Sequence, residues 1–504
     1  MMLHQLRRTS TWLGRRSASS FASISSDIKY ASLPISSPSL KAITDVMGYD
    51  TMTEVQHATL PVLLDGHDVL AKSKTGSGKT MAFLLPTVEV LAKAPRPANA
   101  ISALVLSPTR ELASQIDAEA KKLTTFHDTI QTQCFVGGTS VEHDIKKLKA
   151  PVDILVATPG RLQDLLKNDH GNIVAKLQKT KMLILDEADR LLDMGFRNDI
   201  EAILKFLPSK RQTILFSATL PASLESIQRL ALKKDHKFID TVGTETDQTN
   251  AHVPQTVTIC RMEDHLHAIE AALKAHIHAH PNAFKVIVFF PTARAAGYMA
   301  SIFQAAKFPI LEMHSRKSQP FRTRTADQFR TGNKLIMFSS DVSARGVDYP
   351  DVSLVIQVGL TDREQYIHRV GRTGRAGKQG EGALILCDFE KNLLKELNDL
   401  PLNTVAFQPR GTTTKTAIDK VLGKIESNDE LKTKAAQAYQ AFLGFYVSNL
   451  KRLKLTKPDL VALGDAYAKA TGLKTTPGLQ KRTINMMGLT NLGLKVEPTI
   501  ARRR

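Results

Sequence analysis

The densest chemistry in the chain lies in Ser73-Lys74-Thr75-Gly76-Ser77-Gly78-Lys79-Thr80. This stretch follows the apolar run Asp68–Ala71 and precedes a helical pattern, the setting a phosphate-binding loop requires. Gly76 and Gly78 let backbone amides approach phosphate oxygens with no Cβ in the way. A helix opening at Lys79 adds the partial positive charge of its N-terminus. Lys79 would reach the β- and γ-phosphates of a nucleotide, and Thr80 would offer its hydroxyl to Mg²⁺. The first position of the GxxxxGK[ST] pattern is Ser73 instead of Gly. About 100 residues later, Met182–Leu185 leads into Asp186-Glu187-Ala188-Asp189. An apolar strand that delivers carboxylates at its C-terminal end is where open α/β sheets place ligand chemistry. Asp186 would hold Mg²⁺ through water, and Glu187 would orient or deprotonate the water that attacks a γ-phosphate.

These residues need a sheet to position them. Apolar runs at Asp68–Ala71, Ala103–Ser107, Asp153–Thr158, Met182–Leu185 and Thr213–Ser217 alternate with helical stretches. A second series follows near Val257–Cys260, Val286–Phe290, Ile310–Met313, Leu335–Ser339, Leu354–Val358 and Ala383–Leu386. Strands alternating with helices imply βαβ units and parallel sheets, so the pattern predicts two α/β halves. The first runs over 27–240, a polar linker over 241–255, and the second over 256–398. Beyond Asn398 the strand runs stop and helical apolar spacing takes over, giving a basic helical extension over 399–504.

With its neighbours in view, the tetrapeptide Asp186–Asp189 resembles the signature of the DEAD-box RNA helicases. The resemblance covers about Tyr30 to Leu397, with the family's motifs in order. Gly48–Gln56 resembles the Q motif, in which Gln56 would read the adenine edge, with Tyr49 in the motif and Tyr30 as the upstream aromatic. Thr75, Gly76, Ser77, Gly78, Lys79 and Thr80 would hold the phosphates. Pro108-Thr109-Arg110, Gly137-Gly138 and Thr158-Pro159-Gly160-Arg161 resemble the RNA-contact motifs of the first half. Ser217-Ala218-Thr219 resembles the coupling motif. In the second half Thr292, Gln319, Arg322, Ser340 and Asp341 fall on RNA-contact motifs, and Gly346 and Asp348 on a nucleotide motif. His368-Arg369-Val370-Gly371-Arg372-Thr373-Gly374-Arg375 resembles the motif that brings His368, Arg372 and Arg375 to catalysis.

The resemblance implies two RecA-like parallel-sheet domains in tandem with an α-helical C-terminal extension. It also implies ATP and Mg²⁺ as ligands, and local RNA unwinding driven by ATP hydrolysis. The chemistry agrees: arginines carried on another domain to a γ-phosphate stabilise developing charge. The RNA-contact motifs are rich in Gly, Thr and Arg and lack a stacking row, which suits backbone contacts without base reading. An ATP-gated RNA clamp with little unwinding is the rival from another class.

Composition bounds the remainder. Lys+Arg outnumber Asp+Glu 68 to 49, a surplus that suits a polyanionic partner. From Val405 to Arg504 there are 18 Lys/Arg against 7 Asp/Glu, so the extension holds more than half of the net +19. The run Lys451, Arg452, Lys454 reads as its basic face, suited to tethering RNA, while Phe442 and Phe445 read as packing residues. The extension is similar to that of mitochondrial DEAD-box RNA chaperones that assist intron splicing. Residues 1–26 carry four Arg, seven Ser and no acid before Asp27, the composition of an organellar transit peptide. A mitochondrial location is therefore expected, with the nucleus or nucleolus as the alternative. The chain is expected to be monomeric and without a membrane span. Cys134, Cys260 and Cys387 form no CxxC pair and read as reduced thiols on strands. The histidines between His265 and His280 read as a solvated helix without metal chemistry.

Overall fold

The computed structural model describes residues 25–74, 76–93, 99–242, 253–344, 349–375, 378–408 and 415–497. Thr75, Gly346, Asp348, Trp12 with nearly all of the 1–26 segment, most of the 241–255 linker, and the terminal Arg502–Arg504 lie outside the described residues.

Two seven-stranded sheets form the frame. The first contains β3 (Val69–Lys72), β4 (Ala103–Leu106), β5 (Thr132–Phe135), β6 (Ile154–Ala157), β7 (Met182–Leu185), β8 (Gln212–Ser217) and β9 (Lys237–Asp240), in the order β5-β6-β4-β7-β8-β3-β9. The second contains β10 (Gln255–Cys260), β11 (Lys285–Phe289), β12 (Ile310–Met313), β13 (Leu335–Ser339), β14 (Leu354–Val358), β15 (Glu381–Cys387) and β16 (Leu402–Thr404), in the order β12-β13-β11-β14-β15-β10-β16. Every pairing in both sheets is parallel. Counted from its own first strand, each sheet has the same order, so the two halves share one topology. Two short strands, β1 (Ser25–Lys29) and β2 (Thr51–Thr53), pair antiparallel ahead of the first sheet.

Both faces of each sheet are covered by helices, which is why the central strands are continuous apolar runs. Alternate residues enter opposite cores: Val105, Val156 and Ile184 pack into one, and Leu104, Leu155 and Leu183 into the other. The short outer strands β5, β9 and β16 carry no such run. β16 pairs with β10 beyond the point where strands were expected to end, and β10 begins at Gln255, inside the expected linker.

The extension is built from helices at Asp429–Val447, Leu450–Leu453, Lys457–Ala470 and Lys481–Met486. One continuous hydrophobic core joins it to the second sheet, with Phe442, Leu443, Tyr446 and Tyr467 beside Met262, Phe290 and Leu386. Phe442 stacks on Tyr467 at 4.4 Å and 17°, and Phe389 meets Tyr446 edge-on. Tyr446 donates its hydroxyl to buried Glu390, and Tyr298 donates to the Thr471 carbonyl. Burial pushes the Glu390 carboxyl up to about 7. Arg452 corrects the reading of Lys451–Lys454 as one solvated face. Its guanidinium reaches Glu396 through two 2.7 Å bonds and the Thr361 carbonyl at 2.6 Å. It fastens the extension to the second half, while Lys451 and Lys454 are exposed.

The His265–Ala279 helix is also not the solvated helix expected. His265 and His276 are buried; His276 bonds Ser353 at 2.8 Å, and His267 meets Asp419 at 2.9 Å. His276 pairs within the second half, and His267 ties it to the extension. All three cysteines are free and lie on strands, as expected.

Candidate active site

The topology divides the first sheet's chemistry in two. β7, β8 and β3 are neighbours, and their C-terminal ends carry Asp186–Glu187, Ser217 and the loop Ser73–Gly78. β5, β6 and β4 are also neighbours, and their ends lead to Gly137–Gly138, Thr158 and Pro108–Thr109.

In the phosphate loop Gly76 and Gly78 both have positive φ, +77° and +90°, which an L side chain resists. The Ser73 amide donates to the Ser217 carbonyl at 3.0 Å, tying the loop to β8. Lys79 and Thr80 open the Lys79–Lys93 helix. Lys79 is buried, with its ammonium 3.4 Å from the Ser73 carbonyl. Ser77 closes the turn by donating to the Lys74 carbonyl at 2.8 Å.

Asp186 and Glu187 are both buried. Burial pushes the Asp186 carboxyl up to about 7; the Lys79 charge opposes this and the Glu187 charge adds to it. The Glu187 amide donates to Asp186 at 3.0 Å. Glu187 sits at φ 47° and ψ 55°, a left-handed conformation that costs a non-glycine residue about 1–2 kcal/mol. Its Oε2 is buried and has no hydrogen-bond partner among the described residues. Two buried carboxylates, one with an open acceptor, form an oxygen donor set suited to a hydrated Mg²⁺.

Gln56 caps its own helix, Glu54–Leu64: its Oε1 accepts the Thr53 amide at 2.8 Å. Its Nε2 donates to the Gly78 carbonyl at 2.9 Å. Tyr30, expected as the upstream aromatic of the nucleotide site, is buried in the core at 1% exposure and donates its hydroxyl to Gln56 Oε1 at 2.6 Å. Its ring has no open face for stacking. Tyr49 is exposed.

The second half meets this site directly. A Cβ built on Gly76 would lie 3.6 Å from the Arg375 guanidinium carbon, so Arg375 lies against the phosphate loop. Its Nε donates to the Gly371 carbonyl at 2.7 Å, which aims the side chain. Arg372 is buried, with Nε 3.4 Å from the His368 carbonyl. His368 is at a different point of the junction. Asp189, Glu364 and His368 bring donor atoms within 4.8 Å of one another. Thr219 donates to Asp189 at 3.0 Å and lies 3.4 Å from Glu364. Ser217 donates to the Thr219 carbonyl at 2.6 Å and accepts from the Asp189 amide at 3.2 Å.

A second junction lies at Glu111, in the first turn of the Arg110–Leu123 helix. Arg322 forms a buried ion pair with Glu111, and Gln319 donates to the same carboxylate at 3.3 Å. The motif resemblance assigns both to RNA; here they join the halves. Removing one partner of such a buried pair leaves an uncompensated charge, a loss of about 3–5 kcal/mol. Arg161, assigned to RNA in the same way, is buried and pairs with Asp144 and the Thr139 carbonyl, so it braces the Gly137–Ser140 loop. Asp341 likewise accepts two bonds from Arg369, at 2.7 and 3.0 Å. Ser340 is buried before it.

Thr109, Thr158 and Thr292 are the N-cap residues of three helices, and Pro159 follows at the first helical position. Thr109 and Thr292 accept the capping amide; Thr158 accepts the Gly137 amide at 3.3 Å instead. Helix N-termini at strand ends present amides to anions. Arg110 lies against Gly137, whose built Cβ would be 3.2 Å from it, and Gly138 has φ +78°.

Residues 53–227 match the DEAD/DEAH box helicase family, and residues 267–377 match the helicase conserved C-terminal domain. The DEAD-box ATP-dependent RNA helicase 26 of Oryza sativa subsp. japonica is 46% identical over 469 residues, which is 93% of this chain and 86% of that protein. The chain belongs to the DEAD-box ATP-dependent RNA helicases. Helicase 25 of the same plant is 46% identical over 93% of this chain and 78% of its own. Among solved structures, Mss116p bound to ssRNA and AMP-PNP is 30% identical with a TM-score of 0.78, covering 91% of this helicase and 94% of Mss116p. S. cerevisiae Dbp5 bound to RNA and ADP BeF3 is 25% identical with a TM-score of 0.65, covering 81% and 99%.

Glu111 and Glu364 are the junction residues of this helicase that sequence reasoning missed. Each is one carboxylate in a helix's first turn; Glu111 lies within the Pro108–Ala113 motif and Glu364 ahead of the His368–Arg375 motif, and neither place marks it as a partner of the other half.

Proposed function

We propose that this helicase uses ATP hydrolysis to open short RNA duplexes locally, as an RNA chaperone in the mitochondrion. The position of Arg375 against Gly76 carries this reading, because it assembles the site from both halves. Lys79 and the loop amides hold the phosphates, and Thr80 and Asp186 would hold Mg²⁺, which when bound neutralises charge on the phosphate oxygens. Glu187 orients the attacking water through its open Oε2. Arg375 meets the charge that develops on the γ-phosphate, and buried Arg372 supports it. Asp189, Thr219, Glu364 and His368 report closure from one half to the other.

RNA lies across the other end of the strand row, on Pro108, Thr109, Arg110, Gly138, Thr158 and Gly160 in the first half and Thr292 in the second. That Mss116p and Dbp5 are bound to RNA supports this placement. RNA that favours closure thereby favours hydrolysis. Duplex release measured with ATP and with a non-hydrolysable analogue tests the reading. Repeated release with ATP is expected, and at most one round with the analogue. Tight RNA retention without release in either case would identify a clamp.

The extension adds an RNA tether. Lys451, Lys454, Lys481 and Arg482 are exposed cations on it. Reversing all four should weaken long RNA more than short RNA. Each phosphate of a single strand that the protein ceases to neutralise lowers the log–log salt slope by ~0.7, so two to four such phosphates change it by ~1.4–2.8. Arg452 is left intact because it holds the fold. An unchanged slope in the folded variant would make the extension purely structural.

The composition of residues 1–26 supports mitochondrial import. Since Ser25–Lys29 pairs with β2, the mature terminus should fall between Ser17 and Ser25, leaving a protein without Trp12. Mass spectrometry of protein from isolated mitochondria checks this; an intact terminus in a nuclear fraction would defeat it.

A further inference from the structure

The two sheets share one topology, so each strand end of the first half has a counterpart in the second. β3, β7 and β8, which lead to the phosphate loop, Asp186–Glu187 and Ser217, correspond to β10, β14 and β15. The C-terminal strand ends of open α/β sheets are where ligands bind. In the second half, the ends of β10, β11, β14 and β15 surround a cavity of about 470 Å³, counting the part open to solvent. That volume is in the range of small-molecule sites. The second half therefore keeps a pocket at the counterpart of the phosphate loop.

The chemistry of this pocket is different. The first half turns through Gly76 and Gly78 into Lys79, whereas the second passes through Met262, Glu263 and Asp264 into the His265–Ala279 helix. Two acids in place of a lysine disfavour a phosphate. Gly359 is the first residue past β14, as Asp186 is the first past β7. It has φ +78°, and a Cβ there would lie 3.0 Å from Pro291 and 3.2 Å from both Glu390 and Tyr446, so no carboxylate side chain fits. No described Lys or Arg lines the cavity. Its walls are aromatic instead: Phe290 and Phe389 face it from the sheet side, and Phe442, Phe445 and Tyr446 from the extension.

One polar group in this apolar wall is left over. Glu390 is occupied, accepting the Tyr446 hydroxyl and, at 2.8 Å, the Cys387 amide. His265 is 8% exposed, lines the cavity, and makes no hydrogen bond or ion pair with any described residue. Burial pulls its pKa down to about 4, so the ring is neutral near pH 7, with one N–H donor and one acceptor nitrogen. A buried polar group without a partner is destabilising, and a ligand that pairs with it relieves that penalty.

We propose that this cavity binds a small uncharged aromatic molecule carrying one hydrogen-bonding group, which packs among the phenyl rings and bonds His265. Because the walls come from both the second sheet and the extension, occupancy fastens one to the other and raises the stability of the folded chain.

Phenol is the probe, with toluene, benzoate and inorganic phosphate beside it. The full chain is titrated with AMP-PNP and short RNA already bound, so that the phosphate loop of the first half is occupied. Ligand-observed NMR should show saturable binding of phenol with a Kd of about 1 mM or tighter, and no competition from benzoate or phosphate. His265→Phe keeps a ring at the site and removes both nitrogens. Phenol should then weaken about tenfold, the worth of one net hydrogen bond, while toluene stays within about twofold. Equal losses for both ligands, or no loss for phenol, would overturn the proposal. Ala438→Leu fills the cavity from the extension side and should abolish binding of both; undiminished phenol binding in that folded variant would place phenol elsewhere and overturn the proposal too. If neither variant folds, the unaltered protein still decides. Absence of phenol binding, or its displacement by benzoate or phosphate, would show that no such site exists.

Discussion

Glu187→Gln is expected to bind ATP and RNA and to lose turnover, with kcat falling on the order of 10²–10⁴-fold, the range of a general base. The substitution isolates chemistry from architecture. Gln has the same reach and the same backbone burden, so the left-handed conformation at φ 47° is neither relieved nor worsened. The Glu187 amide still donates to Asp186 at 3.0 Å. Only the carboxylate's capacity to take a proton from water is removed, at a buried oxygen with no partner among the described residues. Removing one carboxylate also lowers the repulsion that helps push Asp186 upward, so nucleotide binding should hold or tighten. Single-turnover hydrolysis beside equilibrium ATP binding checks both halves of the expectation. Near-normal hydrolysis would remove Glu187 from the water.

The parts of this site that can be read from the sequence are those where several constraints fall on adjacent residues. Ser73–Thr80 must turn sharply, expose amides and open a helix, and Asp186–Asp189 must leave a buried strand, so both announce themselves locally. The sheets are legible for the same reason, because β7 as Met-Leu-Ile-Leu is buried on two faces. The outer strands are not. β5 is Thr-Gln-Cys-Phe and β9 is largely exposed, so neither carries an apolar run.

Long-range pairing is equally silent. Arg452 finds Glu396 fifty-six positions earlier, and nothing in Lys451–Lys454 distinguishes a fastening arginine from a solvated lysine. Gln319 and Arg322 stand out as motif residues, but their partner Glu111 lies 208 positions from Gln319, on the other half. The sequence places Tyr30 near Gln56, but whether an aromatic offers its face or its hydroxyl depends on burial, which spacing does not specify.

Arg375→Ala carries the other large effect, a fall in kcat on the order of 10³-fold at saturating RNA with ATP affinity largely kept. The asymmetry follows from geometry. In the proposed mechanism Lys79, Thr80 and the loop amides, all of the first half, hold the nucleotide whether or not the halves meet. Arg375 comes from the second half and lies against Gly76, so in that mechanism its contact with the loop requires the halves to close. Its contribution therefore falls on the closed, reacting state and little on the initial binding of ATP. Arg372 cannot replace it. That side chain is buried and directed to the carbonyl of His368, in the last turn of the helix that precedes it. Arg375→Lys sharpens the test, since lysine keeps the charge but loses the planar fork and the Nε bond to Gly371 that aims it. Turnover for lysine should lie between those of alanine and arginine. The competing assignment is RNA holding, for which the second half's other arginines are natural candidates. It would raise the KM for RNA and leave kcat nearly unchanged once RNA is saturating. Steady-state ATPase titrated with RNA separates the two, because a catalytic arginine lowers the plateau and an RNA-holding arginine only moves the midpoint.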